Sequence, residues 1–452
     1  MNLPNATSLV SDSLTKLNVE QVLLPVLVQI AIILVAARLF GVLARRVGQP
    51  RVVGEIVAGL ILGPSFFGWV NPDAFRFVFQ PSLPNVEPEI ANALIGKILS
   101  VIAQLGLIFL MFLVGLELEL SHIRERGKSV LVIALAGLVL PFILGAALTP
   151  LIVSTLGIVS ESQSHIPLAL FVGLTFSVTA LPVLGRILLE LGITRTRIGA
   201  VSLVAAGASD ACGWVALATI VAIVESKFEL LPLFRISGFS LLYVGVMIAI
   251  FRPRLQNYFT HAVSQNEGSF GTGPFAVVLV GLLLATSVSS WIGIFAVFGA
   301  FLFGAILADQ PQVREALHAK LHDFVTVFFV PIFFAYTGLR TDITAIRGWE
   351  MWALCLVVIA VAVVGKLVGC GLAARVSGFT WKESTLIGAM MNARGLMALV
   401  VINIGAELGV IPRSLFCILV VMAIVTTMLT TPLLLTLQKG TELEEPIHRA
   451  GF

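Results

Sequence analysis

Charge is scarce in this chain: Asp, Glu, Lys and Arg supply 12% of its 452 residues, about half the share of an ordinary soluble domain. With 58% of residues apolar and a mean hydropathy of +1.03, water cannot be its main solvent. The same figures exclude disorder, and 40 Gly and 20 Pro scattered without a three-residue period exclude a collagen-like chain. A net charge of +3 leaves no polyanion-binding face, so no nucleic acid is expected as a partner. Cysteine is also rare. Cys212, Cys355, Cys370 and Cys417 all fall inside apolar stretches, where a small thiol packs among helices, and no disulfide and no transition-metal site are expected. A cleavable leader is not apparent, because residues 1 to 20 are mostly polar and the first apolar run continues to spanning length.

What the chain has in quantity is long apolar runs, such as Val130 to Val153, without the two-residue alternation of a membrane barrel strand. The fold class is therefore all-α and polytopic, with the lipid bilayer as solvent. Thirteen spans are expected near 19-43, 52-69, 98-118, 130-154, 167-189, 198-224, 230-251, 275-290, 291-308, 324-339, 350-374, 384-406 and 414-437. Alternate loops carry sixteen Lys and Arg on one side and eight on the other. Since cytoplasmic loops hold the excess, the N-terminus is placed outside and the C-terminus in the cytoplasm, in the cell membrane.

Three stretches recur in order. Ala58 to Gly63 echoes Gly299 to Gly304, Phe112 to Glu117 echoes Phe334 to Leu339, and Glu190 to Ile193 echoes Glu407 to Val410. The pattern reads as two inverted repeats, 19-224 and 275-437, joined by a linker helix at 230-251. An external segment, 1-18, precedes them and a cytoplasmic tail, 438-452, follows, all forming one transmembrane domain. Gly59 and Gly63, four apart, are read as a helix-packing pair.

A charge near the bilayer centre costs at least roughly 2.5 to 3.5 kcal/mol on insertion scales, so a chain keeps one mainly for a pathway or a partner. Glu55, Glu117, Glu119, Glu190, Asp309 and Glu407 lie near span ends and are read as solvated or snorkelling. Asp210, after Ser209, is the one mid-span carboxylate. Lys366 and Arg394 are the mid-span cations with no such excuse. Two spans look broken. In the fifth, Thr175, Ser177 and Thr179 gather hydroxyls ahead of Pro182; in the twelfth, Asn392, Arg394 and Gly395 form a polar, breakable segment. Broken helices at matching positions of inverted repeats would cross near the midplane and gather carbonyls, hydroxyls and half-helix ends around one site. Lys366 would neutralise the negative C-terminal ends of half-helices. A carboxylate that holds either a proton or a hard monovalent cation, but not both, makes an exchanger by competition once access alternates.

The sequence resembles the monovalent cation:proton antiporter superfamily, in the branch of bacterial potassium-efflux systems and plant cation/proton exchangers. The resemblance rests on Gln49 to Glu55 followed by Gly63-Pro64, on Phe112 to Glu117, on Pro182 to Leu188, on Ser209 to Trp214, and on Lys366, Asn392 and Arg394-Gly395. It implies a homodimer whose core domain moves elevator-fashion against a dimerisation domain, with the ion on Asp210. It further implies that the family's broken crossing helices match the fifth and twelfth spans and that its core lysine matches Lys366. Ser209 stands where electrogenic members commonly carry a second Asp, so the resemblance leans to electroneutral exchange, with Ser209 as a hydroxyl ligand. The nucleotide-gated domain of potassium-efflux relatives has no counterpart in this sequence, and direct nucleotide control is not expected.

The site residues are thus Asp210, Ser209, Thr175, Ser177 and Thr179 for the ion. Lys366, Arg394 and Asn392 compensate charge in the core, and Pro182 and Gly395 break the helices. No cofactor is implied; the substrates are K+ or Na+ and H+. A sodium-coupled symporter of an organic solute and a cation channel are the alternatives. An intramembrane enzyme fares worst, since all six histidines fall outside the span centres.

Overall fold

The computed structural model describes residues 18-84, 86-117, 120-158, 165-224, 230-265, 270-293, 296-339, 346 and 348-452. Apart from Asn18, the external segment 1-18 lies outside them, as does Glu119. Among the described residues the chain is helical, with no strand. The elements that position the site are α1 (Val19–Arg46), α2 (Arg51–Leu62), α3 (Pro88–Leu116), α4 (Leu120–Leu156), α5 (Ile166–Ser177), α6 (Leu181–Glu190), α7 (Arg197–Val224), α8 (Leu230–Val246), α9 (Thr272–Ile292), α10 (Ala296–Leu307), α11 (Pro311–Phe324), α12 (Val330–Leu339), α13 (Trp349–Val376), α14 (Trp381–Met390), α15 (Leu396–Glu407), α16 (Arg413–Leu437) and α17 (Glu444–Arg449).

Eleven helices among the described residues are long and apolar enough to cross a membrane, against the thirteen spans expected. The difference lies in the ninth and twelfth. The ninth is the shorter apolar helix α10, and the twelfth is divided so that only Met397–Glu407 remains as an apolar helix of its own. Large apolar side chains such as Leu24, Leu241 and Trp291 stand exposed, the outward face that a lipid solvent allows.

The chain forms two compact units. One takes residues 1-47, 51-107 and 324-342, and the other takes 48-50, 108-323 and 343-452. In the first, α2 packs on α12 through glycine: a Cβ on Gly59 would stand 1.9 Å from the Ala335 carbonyl oxygen, and one on Gly338 would stand 2.4 Å from that of Ile56. The packing reading of Gly59 and Gly63 is what the structure displays. In the second unit the end of α3 meets α10 in the same manner, with Gly115 against Phe301 and Gly304 against Phe112, each 2.2 Å from a carbonyl oxygen if it carried a Cβ. These contacts join the echoed segments crosswise, 58-63 with 334-339 and 112-117 with 299-304.

The second unit is built around α4, which packs on α5, α7 and α13. Gly145 on α4 admits Phe176 and Gly173 of α5, while Gly365 and Gly369 let α13 lie directly on α4. Phe171, Phe176, Val358 and Ile418 lie in the apolar cluster beside these contacts. Three cysteines are buried as expected; Cys212 is exposed.

Several acids expected to be solvated are not. Glu55 is 4% exposed, Glu117 pairs with Arg195 at 2.6 Å, and Glu190 pairs with Arg186 at 2.9 Å. Asp309 pairs with Arg252 but stays exposed, as expected. Arg186 lies one turn back in the same helix as Glu190, whereas Arg195 and Arg252 come from distant parts of the chain, which single-span reading cannot see. Glu407 is exposed.

Candidate functional site

The fifth span breaks at 178-180. α5 ends at Ser177, Val178 turns extended, and α6 begins after Ala180 with Pro182 in its first turn, where a missing N–H costs nothing. The twelfth span breaks at 391-395, between α14 and α15. The two breaks are stitched together: the Ala180 N–H donates to the Ala393 carbonyl at 3.0 Å, and the Thr179 hydroxyl donates to the Met391 carbonyl at 3.0 Å. Gly395 makes the approach possible, because a Cβ there would stand 2.5 Å from Val183 Cγ2.

The last carbonyls of a helix have no partners within it and carry partial negative charge. At the end of α5 two buried cations supply what is missing. The Arg394 guanidinium donates to the Thr175 carbonyl at 2.7 Å and to that of Phe176 at 2.6 Å, and reaches Ala362 O at 3.3 Å. The Lys366 ammonium donates to the Ser177 carbonyl, to Thr179 Oγ1 at 2.7 Å and to Gly137 O at 2.8 Å. An ammonium has three protons, so these acceptors saturate it. Among the described residues neither cation pairs with a carboxylate, and the partial negative charge beside them is that of the half-helix end.

Asp210 sits in the middle of α7. Gly207 and Gly213, three residues to either side, place its face: Gly207 looks onto Leu181, in the first turn of α6. Gly213 looks onto Val178 in the first break and Met397 in the first turn of α15. Residues three apart share a helix face, so Asp210 belongs to the surface that meets one break and the N-terminal, partially positive ends of two half-helices. Its side chain is half-buried, and its Oδ1 is buried without a hydrogen-bond partner. Asn392, in the second break, is fully buried, and neither atom of its amide has a partner.

The expected hydroxyls divide. Thr179 joins Lys366. Thr175 donates back to Phe171 O at 2.8 Å, and Ser177 donates to Leu138 O and Gly173 O at 2.8 and 2.9 Å. Ser209 lies 3.4 Å from Ala134 O on α4. These three protons are spent on backbone, and the structure does not bring the three hydroxyls together around Asp210 by any hydrogen bond.

Two participants were missed. Gly137 on α4 is a third acceptor for Lys366, and its signal is the proline four residues on. Thr427 on α16 accepts the Arg394 N–H at 2.9 Å and lies 2.7 Å from the Arg394 carbonyl. Its signal is the paired run Thr426-Thr427 and Thr430-Thr431 in an apolar span, all four buried.

Comparison with known proteins places the chain in a family. Residues 30–436 match the family model described as sodium/hydrogen exchanger, transmembrane. The chain is 36% identical over 415 residues to the Na(+)/H(+) antiporter NhaS4 of Synechocystis, covering 91% of this chain and 96% of that one. It is 35% identical to cation/H(+) antiporter 20 of Arabidopsis thaliana, covering 91% of this chain but only 48% of the longer plant protein. The fold is that of the sodium proton antiporter MjNhaP1 from Methanocaldococcus jannaschii, with a TM-score of 0.61 at 16% identity over 95% of this chain and all of that one. A multi-pass membrane chain with two stitched helix breaks, matched to the family model over nearly its whole length, belongs to the sodium/hydrogen exchanger family.

Proposed function

We propose that this protein is a secondary antiporter that exchanges a monovalent cation, K+ or Na+, for H+, with both taking turns on Asp210. The observation that carries the reading is a carboxylate oxygen buried in mid-helix with no partner, on the face that meets a helix break, while Lys366 and Arg394 donate to carbonyls and a hydroxyl and, among the described residues, to no carboxylate. A carboxylate left without a counter-charge in such a place holds either a proton or an ion. The printed names of the relatives fit this chemistry, since one is a Na(+)/H(+) antiporter and another, from Saccharomyces cerevisiae and 30% identical, is a K(+)/H(+) antiporter.

Lys366 and Arg394 act as fixed supports for the end of α5, and Asn392 offers an unused amide in the second break. Access alternates by elevator-type displacement of the helices that carry Asp210, in a homodimer in the cell membrane with the C-terminus in the cytoplasm. With Ser209 in place of a second carboxylate, exchange is one-for-one and electroneutral.

The test is cation-driven pH change in proteoliposomes, titrated separately with K+, Na+ and Li+. Asp210→Asn should abolish exchange while melting as the parent does, and substantial exchange by that variant would remove Asp210 from the mechanism. Marked dependence of the rate on an imposed membrane potential would overturn electroneutrality.

A further inference from the structure

Lys366 takes one of its three acceptors from a helix that is not broken. α4 runs from Leu120 to Leu156 with Pro141 inside it. In an uninterrupted helix the carbonyl of residue 137 accepts the N–H of residue 141, and a proline there has no N–H to give. The freed Gly137 carbonyl is the one that receives the ammonium, at 2.8 Å. The next carbonyl, Leu138 O, takes the Ser177 hydroxyl at 2.8 Å.

The packing is fitted to this. A Cβ on Gly137 would stand 2.5 Å from Cys370 Sγ, and one on Gly365, beside Lys366, would stand 3.4 Å from Pro141 Cα. Glycine on both helices lets α13 approach until the amine reaches the α4 backbone. Pro141 itself is buried. Pro150, in the same helix, is exposed, and no hydrogen bond from a cation ends on the carbonyl it frees among those described.

We infer that Pro141 is a positioning residue for Lys366: by withholding an N–H it keeps the Gly137 carbonyl open as the third acceptor of the ammonium that supports the end of α5. The inference rests on the exchange reading only where it is read out as flux. Pro141→Ala restores an N–H that shares the Gly137 carbonyl and draws it towards the helix axis, so one of the ammonium's three acceptors is weakened. A hydrogen bond to a charged group corresponds to about one pH unit in the balance between ammonium and amine.

The experiment is a pH titration of the protein in nanodiscs with lysine labelled at 15Nζ. The Lys366 signal is assigned by its loss in Lys366→Met. In Pro141→Ala, or in Pro141→Ser if the alanine variant does not fold, the signal should convert from ammonium to amine about one pH unit lower than in the parent. Pro150→Ala should titrate as the parent does, and the alkaline limb of the exchange profile should move with the signal. An unchanged titration in the Pro141 variants, or an equal displacement in Pro150→Ala, overturns the inference whatever the flux. A displaced signal together with full exchange by Asp210→Asn would instead defeat the reading of Asp210.

Discussion

The two helix breaks occupy matching places in the two halves of the chain, yet their chemistry is unequal. At the first, three residues long, the terminal carbonyls of Thr175, Phe176 and Ser177 all accept from side-chain cations, Lys366 on α13 and Arg394 in the second break. At the second, the end of α14 closes on itself. The N–H groups of Met391, Asn392 and Ala393 turn back to Ile387, Ala389 and Met390 at 3.0 to 3.2 Å. The second break thus needs no charge, and it is the one that supplies Arg394 to the first. Beyond the breaks the likeness returns. α6 and α15 end on Glu-Leu-Gly, with Gly192 at φ 68° and Gly409 at φ 71°, the left-handed conformation that a helix stop asks of glycine. Backbone geometry is repeated, whereas the electrostatic work is divided, one break acting as acceptor and the other as donor.

That division is broken most directly at Arg394. Arg394→Met strands two buried carbonyls of α5, and each unsatisfied group costs about 1 to 3 kcal/mol. The expected loss is about 2 to 6 kcal/mol, read from thermal or denaturant unfolding of the purified protein in detergent. Asn392→Ala, two residues away, removes an amide that has no partner and should stay within about 1 kcal/mol of the parent. Equal losses at the two positions would mean that the first break does not depend on charge.

Gly395 sharpens the comparison by a smaller step. A Cβ at this position meets Val183 Cγ2 at 2.5 Å and Ala180 Cβ at 3.3 Å, so Gly395→Ala forces the breaks apart at a cost of about 1 to 3 kcal/mol. Val183→Ala in the same chain removes the nearer atoms and should recover most of the loss in the same unfolding measurement. Without that recovery, the glycine serves something other than the close approach.

Much of this site was legible before any coordinates. Asp210, Lys366 and Arg394 stand out because a charge in an apolar span is rare and costly, and the breaks stand out because proline, glycine and clustered polar residues interrupt otherwise uniform runs. What could not be read is which acceptor each donor finds. The hydroxyls of Thr175 and Ser177 were counted for the ion, yet each donates to a carbonyl one turn back in its own helix, a local bond that competes with any distant role. The pairing of Glu117 with Arg195, and the service of Gly137 to Lys366 across 229 positions, depend on packing between helices that no periodicity encodes. The count of spans differs where a helix is short or divided, because an apolar run of spanning length need not fold as one helix.

The smallest effect lies where α14 begins, ten residues before the second break. Glu383 closes a capping box with Thr380 and pairs with Arg197 at the start of α7. Burial alone would push its carboxyl up, but the backbone N–H and hydroxyl of Thr380 and the Arg197 guanidinium more than offset this and hold it below the usual range. An acid depressed by folding contributes its stability above the unfolded value, about 4.3 for Glu, and loses it as the pH falls through the folded value. The pair is partly exposed, so the contribution should be under about 1 kcal/mol. Glu383→Gln should therefore melt slightly below the parent at neutral pH and converge with it only once the pH has fallen through the lowered folded value, below the unfolded value of about 4.3. Arg394→Met, which removes a guanidinium charged throughout that range, should show a deficit that does not close with acid. A deficit at Glu383 that does not shrink as the pH falls below the unfolded value of about 4.3 would assign the carboxyl a packing role and leave the cap of α14 to Thr380 alone.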